Sequence, residues 1–410
     1  MMAWPFSGKV ETKANPVGGA LIIGGPVSWS SWGENRKTYV TEGYQGNVAV
    51  YRAIGEIVSA ATSIKVEMYN GDKLVDASPV LELLANPNPT QAYSEWLTEM
   101  LTNRCLFGEM FSIATSEANP VEMWSASPVY MKVRPSGSGI PAAYEYDRGK
   151  SKLVFPVNTT TGQSACFFSK LYNPDNYWRG QSPLMAAALA ADTFNAGQKW
   201  NFSLLKNSAR PSGLVRFKGS YPGAEQVQRL REYFKSAMAG ENNAGEIPML
   251  ADDAEWVALS QTARDMDFAG TMKMTTKQIA AAYGVPLPLV DNDASTFNNM
   301  EMAKEKLYTD TVIPIMREFL GSLNRWLLPM FGLTDHELRL DLDSIPALEG
   351  LRQTMFDRAV TGYQSGLLTL QESRKLMGYE EKPEGDLRAD NSLSVPPEEA
   401  KLLAYGLDIA

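Results

Sequence analysis

Histidine and cysteine are scarce in this chain of 410 residues, which contains one histidine, His336, and two cysteines, Cys105 and Cys166. Zinc sites and Ser-His or Cys-His catalysis need histidine close to other ligands or to a nucleophile, so these chemistries are disfavoured. Two cysteines also argue against a disulfide framework and favour a reducing compartment. We therefore expect no metal, no cofactor and no catalytic residue, and His336 should be an ordinary surface or boundary residue.

Long apolar runs and an excess of positive charge are also missing. The longest clean apolar run, residues 184–191, is far shorter than the roughly 18–20 residues of a membrane-spanning helix, and no signal peptide is evident. The net charge of −9 argues against a protein that coats nucleic acid through a basic face. Gly149-Lys150-Ser151 resembles the end of a phosphate-binding loop, but Tyr144 stands where that motif requires glycine. The sequence predicts no membrane partner and no nucleotide site.

Helical and strand-like patterns alternate along the chain and predict an α+β fold. Residues 47–61 have the helical spacing of apolar side chains, residues 64–69 alternate as a strand, and Asn70-Gly71 is typical of a hairpin turn. Short β-like runs follow, and we expect them to form one small antiparallel sheet. These runs are residues 129–133, 142–146, 153–157 and 166–168.

Two long helices are predicted on either side of a small α/β insert. Ser182-Pro183 supplies an N-cap and a first-turn proline, and the helical pattern continues to about residue 207. A second helix is expected from near Asp265 to Tyr283. The residues between them have strand and helix patterns, at 213–218, 224–238, 247–250 and 255–259.

A break with polar residues follows the second helix. Gly284 with Pro286 close behind it is typical of a helix end. Asn298 is expected to cap the next helix, because Glu301 follows it three residues later as in a capping box.

The C-terminal part is predicted to be mainly helical. A helix over residues 300–328 has one apolar face, and Pro314 inside it should bend it or open its hydrogen-bond ladder. Residues 338–342 are strand-like, and residues 348–379 have the pattern of a helix pair broken near 362–366.

Several short motifs occur in a fixed order along most of the chain. They are Leu83-Leu84-x-Asn86-Pro87-Asn88, Gly108-Glu109-Met110-Phe111, Tyr177-x-x-Gly180-x-Ser182-Pro183-Leu184, the strand from Gly213, Gln278-Ile279, Gly284-Val285-Pro286 and Asn299-Met300-Glu301. Their order resembles the portal proteins of tailed double-stranded-DNA bacteriophages, of the long-tailed-phage type. The resemblance covers roughly residues 47–380. Each motif alone is common turn or cap chemistry, so their shared order carries the resemblance.

The resemblance implies a homo-oligomeric ring, usually of twelve copies, at the portal vertex of the capsid. Its central channel would carry double-stranded DNA during packaging and ejection. Implied partners are the terminase large subunit, a head–tail adaptor and the major capsid or scaffold protein. The ring would belong to the virion and pass through the host cytoplasm during assembly. ATP hydrolysis would belong to the motor, so the chain itself is expected not to be an enzyme.

The same resemblance implies a division of the chain into functional segments, with a kinked tunnel helix and a helical crown. They are an N-terminal arm (1–46, flexible or partner-dependent), a wing (47–181), stem helix 1 (182–207), a clip (208–263), stem helix 2 (264–284), a tunnel loop (285–299), a tunnel helix (300–329), a wing return strand (330–349), a crown (350–381) and a flexible C-terminal tail (382–410).

Two groups of side chains are candidates for facing DNA. The tunnel loop lacks Lys and Arg, which fits a weakly repulsive constriction, because each neutralised phosphate would strengthen binding and slow DNA transport. Its candidate residues are Asp291, Asn292, Asp293, Ser295, Thr296 and Asn298. The stem lysines either touch DNA or are simply solvated, and they are Lys199, Lys206, Lys273 and Lys277.

Other interpretations stay open at this stage. Asp291 and Asp293 could belong to a calcium loop, which would need more oxygen ligands, or to an ordinary solvated loop. A carboxylate-dependent hydrolase or transferase is a further alternative, and so is a different head–tail structural or adaptor protein. The carboxylates for such an enzyme would be Asp252, Asp253, Asp341 and Asp343.

Overall fold

The computed structural model describes residues 35–137, 139–149, 152–206, 213–217, 228, 232, 254–258, 268–291 and 297–378. Helices and short antiparallel strands are mixed throughout these residues, which confirms the predicted combination of α and β structure. Within the described ranges, no helix has the length and apolar character that crossing a membrane requires.

A helical core forms the centre of the chain. Helices α2, α4, α7 and α10 contribute to one buried apolar cluster, in which Trp96 of α4 and Phe319 of α10 are fully buried with ring centroids 6.0 Å apart. The helices are α1 (Arg36–Thr38), α2 (Val48–Thr62), α3 (Pro79–Ala85), α4 (Tyr93–Phe107), α5 (Pro183–Ala186), α6 (Ala188–Lys206), α7 (Phe268–Tyr283), α8 (Leu287–Val290), α9 (Phe297–Leu307), α10 (Ile313–Met330), α11 (Glu349–Gln364) and α12 (Leu370–Leu376).

The described strands form short antiparallel sheets, with strand orders β11-β1-β2, β4-β3-β8, β5-β6-β7 and β9-β10. The hairpin predicted at Asn70-Gly71 is confirmed, since Gly71 has a φ of +62° between β1 and β2. Half-buried His336 opens β11, which pairs with β1 and sets Leu338 opposite Met68. The strands are β1 (Lys65–Asn70), β2 (Lys73–Leu74), β3 (Glu109–Ala114), β4 (Met123–Ala126), β5 (Met131–Arg134), β6 (Ala143–Asp147), β7 (Lys152–Pro156), β8 (Cys166–Lys170), β9 (Gly213–Phe217), β10 (Ala254–Ala258) and β11 (His336–Asp341).

The expectation of one sheet from residues 129–168 is wrong, because β8 joins β3 and β4 instead of β7. Alternate residues of β8 face two different apolar clusters. Phe168 stacks on Phe111 of β3 with centroids 4.6 Å apart, whereas Phe167 packs against Phe319 and Trp326 of α10. Strand β8 therefore links the small sheets to the helical core.

The helix predicted over residues 182–207 is interrupted at Ala187. Ser182 does cap the first segment as expected, since its Oγ accepts the Leu184 N–H at 3.1 Å. Segment α5 ends after one turn, and the chain continues as α6 after Ala187. Alanine has the highest helix propensity, so the interruption has a tertiary rather than a local cause.

The predicted effect of Pro314 is confirmed. A π-helical segment, Tyr308–Val312, separates α9 from α10 and ends just before this proline, which has no N–H to continue the ladder. The cap predicted at Asn298 is wrong, because α9 already begins at Phe297 and places Asn298 inside its first turn.

The structure describes some of the remaining predicted segments and only parts of others. The last part of the expected arm is helical and packs on the core: α1 continues as a π-helical segment, Tyr39–Tyr44, in which Tyr39 is buried. In the insert, β9 and β10 pair, whereas the predicted helix 224–238, apart from Gln228 and Glu232, and the predicted strand 247–250 lie outside the described residues. The helix pair after residue 348 is confirmed as α11 and α12, which follow a 3-10 turn at Pro346–Leu348.

Candidate functional site

The break after α7 has a rigid base. Gly284 ends α7 with a φ of +68°, and the Val285 N–H donates to the Ala280 carbonyl at 2.9 Å. The hydroxyl of Thr311, in the π-helical segment, donates to the Gly284 carbonyl at 2.6 Å. A Cβ at position 284 would lie 2.8 Å from this hydroxyl oxygen, so both the backbone angle and the close approach favour glycine.

Helix α8 fastens the first half of the break to α2. Its Leu289 is buried, and the Leu289 carbonyl accepts a hydrogen bond from Arg52 Nε at 3.2 Å. Arg52 in turn pairs with Glu56 one turn later, with 2.7 Å between Nη2 and Oε1. The expected loop 285–299 therefore begins with an anchored helical turn, and within it residues 285–291 and 297–299 are described.

The predicted loop residues fall partly outside the description. Asp291 is half-buried, and its N–H donates to the Leu287 carbonyl at 2.8 Å. Asn298 is exposed in the first turn of α9. The remaining candidates lie outside the described residues, and they are Asn292, Asp293, Ser295 and Thr296.

The four candidate lysines lie on α6 and α7, two helices that pack against each other, and all four are exposed. Lys199 forms an ion pair with Glu42, with 3.0 Å between Nζ and Oε2. Lys273 lines a groove together with Arg52 and Asp291, whereas Lys206 and Lys277 stand on exposed turns of their helices. The four lysines therefore lie on two helices in contact with each other, and their contact with DNA stays a prediction.

The carboxylates considered for an enzyme do not form a site where they are described. The Asp341 carboxylate accepts the N–H groups of Asp343 and Ser344 at 3.0 and 3.1 Å, which is the geometry of a turn. The Asp343 side chain is 95% exposed, so it is not held for chemistry. Asp252 and Asp253 lie outside the described residues, and among those described no cluster of His, Cys, Asp and Glu could hold a metal.

The structure also brings together residues that sequence reasoning did not single out as a group. Glu109, the first residue of β3, is fully buried and accepts hydrogen bonds from Arg36 and Arg179. It also accepts the Gly180 N–H at 3.0 Å. Burial lowers the pKa of the Arg36 guanidinium, and the neighbouring Glu109 carboxylate opposes that shift. We call Arg36, Glu109, Arg179 and Gly180 the Glu109 junction.

Backbone contacts explain why glycines stand at this junction. A Cβ on Gly108 would lie 2.0 Å from the Gln181 carbonyl oxygen, and one on Gly180 would lie 2.0 Å from that of Gly108. The Ser182 hydroxyl, which caps α5, donates to the Leu106 carbonyl at 2.6 Å. Two separate sequence motifs therefore meet in space and fix the start of α5 against the end of α4. The sequence signal was a glutamate after glycine at the head of an apolar strand.

The chain matches the family model described as phage portal protein over residues 48–378. An uncharacterized protein of Rickettsia bellii is 29% identical over 362 residues, which are 87% of this chain and 93% of that protein. The neck of a native gene transfer agent particle, computed with C12 symmetry, contains a chain that is 28% identical with a TM-score of 0.64, covering 85% of this chain and 95% of its own. An HK97-family phage portal protein from Corynebacterium diphtheriae has the same fold at 13% identity, with a TM-score of 0.54 and coverage of 73% and 94%. Since the family model spans most of its length, this chain belongs to the phage portal protein family.

Proposed function

We propose that this chain is the ring-forming subunit of a portal vertex, whose channel carries double-stranded DNA into the capsid during packaging and out of it during ejection. The observation that carries the proposal is the family match over residues 48–378, which joins the chain to a structural rather than a catalytic family. Ring formation is supported by the neck assembly that contains a relative 28% identical to this chain. The chain is not expected to be an enzyme, and ATP hydrolysis would belong to the terminase large subunit.

We further propose that each segment has the function that the resemblance implies. Residues 47–181 and 330–349 form the wing, residues 182–207 and 264–284 the stem, and residues 208–263 the clip. The clip would dock the terminase motor during packaging and the head–tail adaptor afterwards. The remaining segments are the arm (1–46), the tunnel loop (285–299), the tunnel helix (300–329), the crown (350–381), which would lie inside the head beside capsid or scaffold protein, and the tail (382–410).

The tunnel loop is proposed to narrow the channel. Its support is the anchored base, because Gly284 is bonded to Thr311 and α8 is bonded to Arg52. A loop held in this way can resist the passing duplex without moving its first end. Residues 285–299 contain no Lys or Arg, so they would repel phosphates weakly instead of binding them.

The stem lysines are proposed to offer weak, exchangeable contacts to the duplex. Lys206 and Lys277 are exposed, whereas Lys199 shares its charge with Glu42, and partial pairing weakens its attraction for phosphate. Replacing Lys206 and Lys277 with Gln should make DNA binding less dependent on salt. The slope of the logarithm of the binding constant against the logarithm of the salt concentration should become shallower by roughly one for each charge removed.

The loop assignment is tested by deleting residues 292–295 and measuring nuclease-protected DNA per assembled particle. We expect normal rings and a clear loss of packaged or retained DNA. The matched control is deletion of residues 159–162, an exposed turn between β7 and β8, which should leave DNA content unchanged. Normal DNA content in the 292–295 deletion would refute the tunnel-loop assignment while leaving ring formation untouched.

A further inference from the structure

The N-terminus of α2 exposes more apolar surface than its fold requires. Val48 and Tyr51 are 64% and 56% exposed, although the same helix buries Val50 and Ile54 completely. The Tyr51 ring lies 5.0 Å from that of Tyr44, but most of the surface of Tyr51 and Val48 stays exposed. An exposed apolar patch of this kind marks an interaction surface when it adjoins a concave site.

Such a concave site adjoins them. Two hollows of about 600 and 540 Å³ lie side by side and share Val48 and Phe194, and we call the pair the α2 groove. Tyr44 and Gln198 border one end, and Met272 and Val290 border the other. The groove thus runs from the π-helical segment Tyr39–Tyr44, across α6 and α7, to the base of the proposed tunnel loop.

Buried amides hold the walls of the α2 groove in place. The Asn47 side chain accepts the Val50 N–H at 3.0 Å and donates to the Asn195 side-chain oxygen at 3.0 Å. Asn195 then donates to the Glu42 carbonyl at 2.8 Å. Both amides are at least 95% buried, and together they connect α2 and α6 to the π-helical segment Tyr39–Tyr44. A surface fixed before binding loses little conformational entropy when a partner docks.

We propose that the α2 groove receives the adjacent copy of this chain in the ring, an inference that rests on the proposed ring function. A closed ring is built from heterologous contacts, in which a concave surface of each copy meets a different, convex surface of the next. Exposed apolar side chains outside the groove are available for the opposing surface, since Leu189, Phe202 and Met302 are 61%, 66% and 68% exposed. The groove is lined by apolar side chains together with charges of both signs, from Arg52, Lys273 and Asp291, which suits a protein surface of mixed charge better than a uniformly negative phosphate backbone.

The test compares charged substitutions in the groove with the same substitutions elsewhere. Val48→Asp and Tyr51→Arg are the test variants, and Asp is tolerated in the first turn of a helix. Val121→Asp and Tyr172→Arg are matched controls, because these residues are 77% and 83% exposed away from the groove. The readout is the fraction of rings at equal protein concentration, measured by mass photometry, with circular dichroism to verify folding.

We expect the groove variants to lower the apparent assembly affinity at least tenfold, about the effect of losing one interface hot spot, while the controls assemble like wild type. Mixing provides a second measurement. A folded Tyr51→Arg copy keeps its convex surface, so it should add to wild-type chains and stop ring closure, whereas an unfolded copy would be inert.

Three results would overturn the inference. Rings of wild-type affinity in both groove variants would exclude the groove as the interface. Equal losses in the Val121→Asp and Tyr172→Arg controls would show that the groove is not special. Wild-type protein that never forms rings would overturn the proposed ring, and the inference with it.

Discussion

Replacing Glu109 with Gln tests the physical role of the Glu109 junction. The carboxylate accepts hydrogen bonds from both guanidinium groups and from the Gly180 N–H, and it is fully buried. Gln has the same shape but no charge, and its amide nitrogen would point donor hydrogens at arginine donors. The variant therefore leaves two largely buried cations without a counter-charge.

The expected cost is large for a single substitution. Removing one partner of a buried ion pair costs about 3–5 kcal/mol, because the remaining charge is left uncompensated. The Arg36 and Arg179 side chains are only 23% and 19% exposed, so water can restore little of that energy. At roughly 2–4 °C per kcal/mol for large domains, the unfolding midpoint should fall by about 10 °C.

The assay is thermal unfolding at one fixed protein concentration, since assembly adds its own stability. Glu117→Gln is the matched control, because Glu117 is exposed in a turn and should change the free energy of unfolding by less than about 0.5 kcal/mol. A Glu109→Gln midpoint within 1–2 °C (roughly) of wild type would refute the reasoning, since it would mean that the buried charges are compensated in another way.

Two further predictions concern a glycine and a carboxylate. Gly284→Ala should destabilise the chain by about 1–3 kcal/mol, from the left-handed backbone and the clash with Thr311, whereas Gly332→Ala, at a φ of +69° with open space, should show the backbone cost alone. Equal costs in chemical denaturation would rule out the clash. Hydrogen bonds from Arg134 and Lys152 lower the pKa of Glu145 to about 2 from the ordinary 4.5. Because the folded-state pKa is the lower one, this stabilisation is present above pH 4.5 and lost as the pH falls toward 2. Glu145→Gln should therefore flatten the dependence of the free energy of unfolding on pH in that range. An unchanged dependence on pH would contradict the assignment.

Local sequence signals predicted local structure well. The Asn70-Gly71 turn, the Ser182 cap and the Gly284 helix end each depend on residues within one turn of each other, and the structure contains all three. The prediction of a cap at Asn298 was wrong, because the local sequence allows the helix to begin at more than one residue and α9 begins at Phe297. A sequence therefore predicts that a helix end is present more reliably than it predicts the residue at which the helix begins or ends.

Features that depend on distant contacts could not be predicted in the same way. Phe167 and Phe168 are both apolar, so periodicity does not reveal that they serve different clusters or that β8 pairs with β3. In the Glu109 junction, Arg36 and Arg179 each lie about 70 positions from Glu109 in the sequence, one before it and one after it. Such a pairing is decided by tertiary structure, and only the order of motifs hinted that these segments belong together.

The most direct test of the whole account is an electron micrograph of the purified protein, with the mass of the particle measured on the same sample. The account predicts a closed ring with a central opening wide enough for duplex DNA, about 20 Å, in which every copy makes the same heterologous contact with the next. A folded protein that remains a monomer or dimer at high concentration would contradict it.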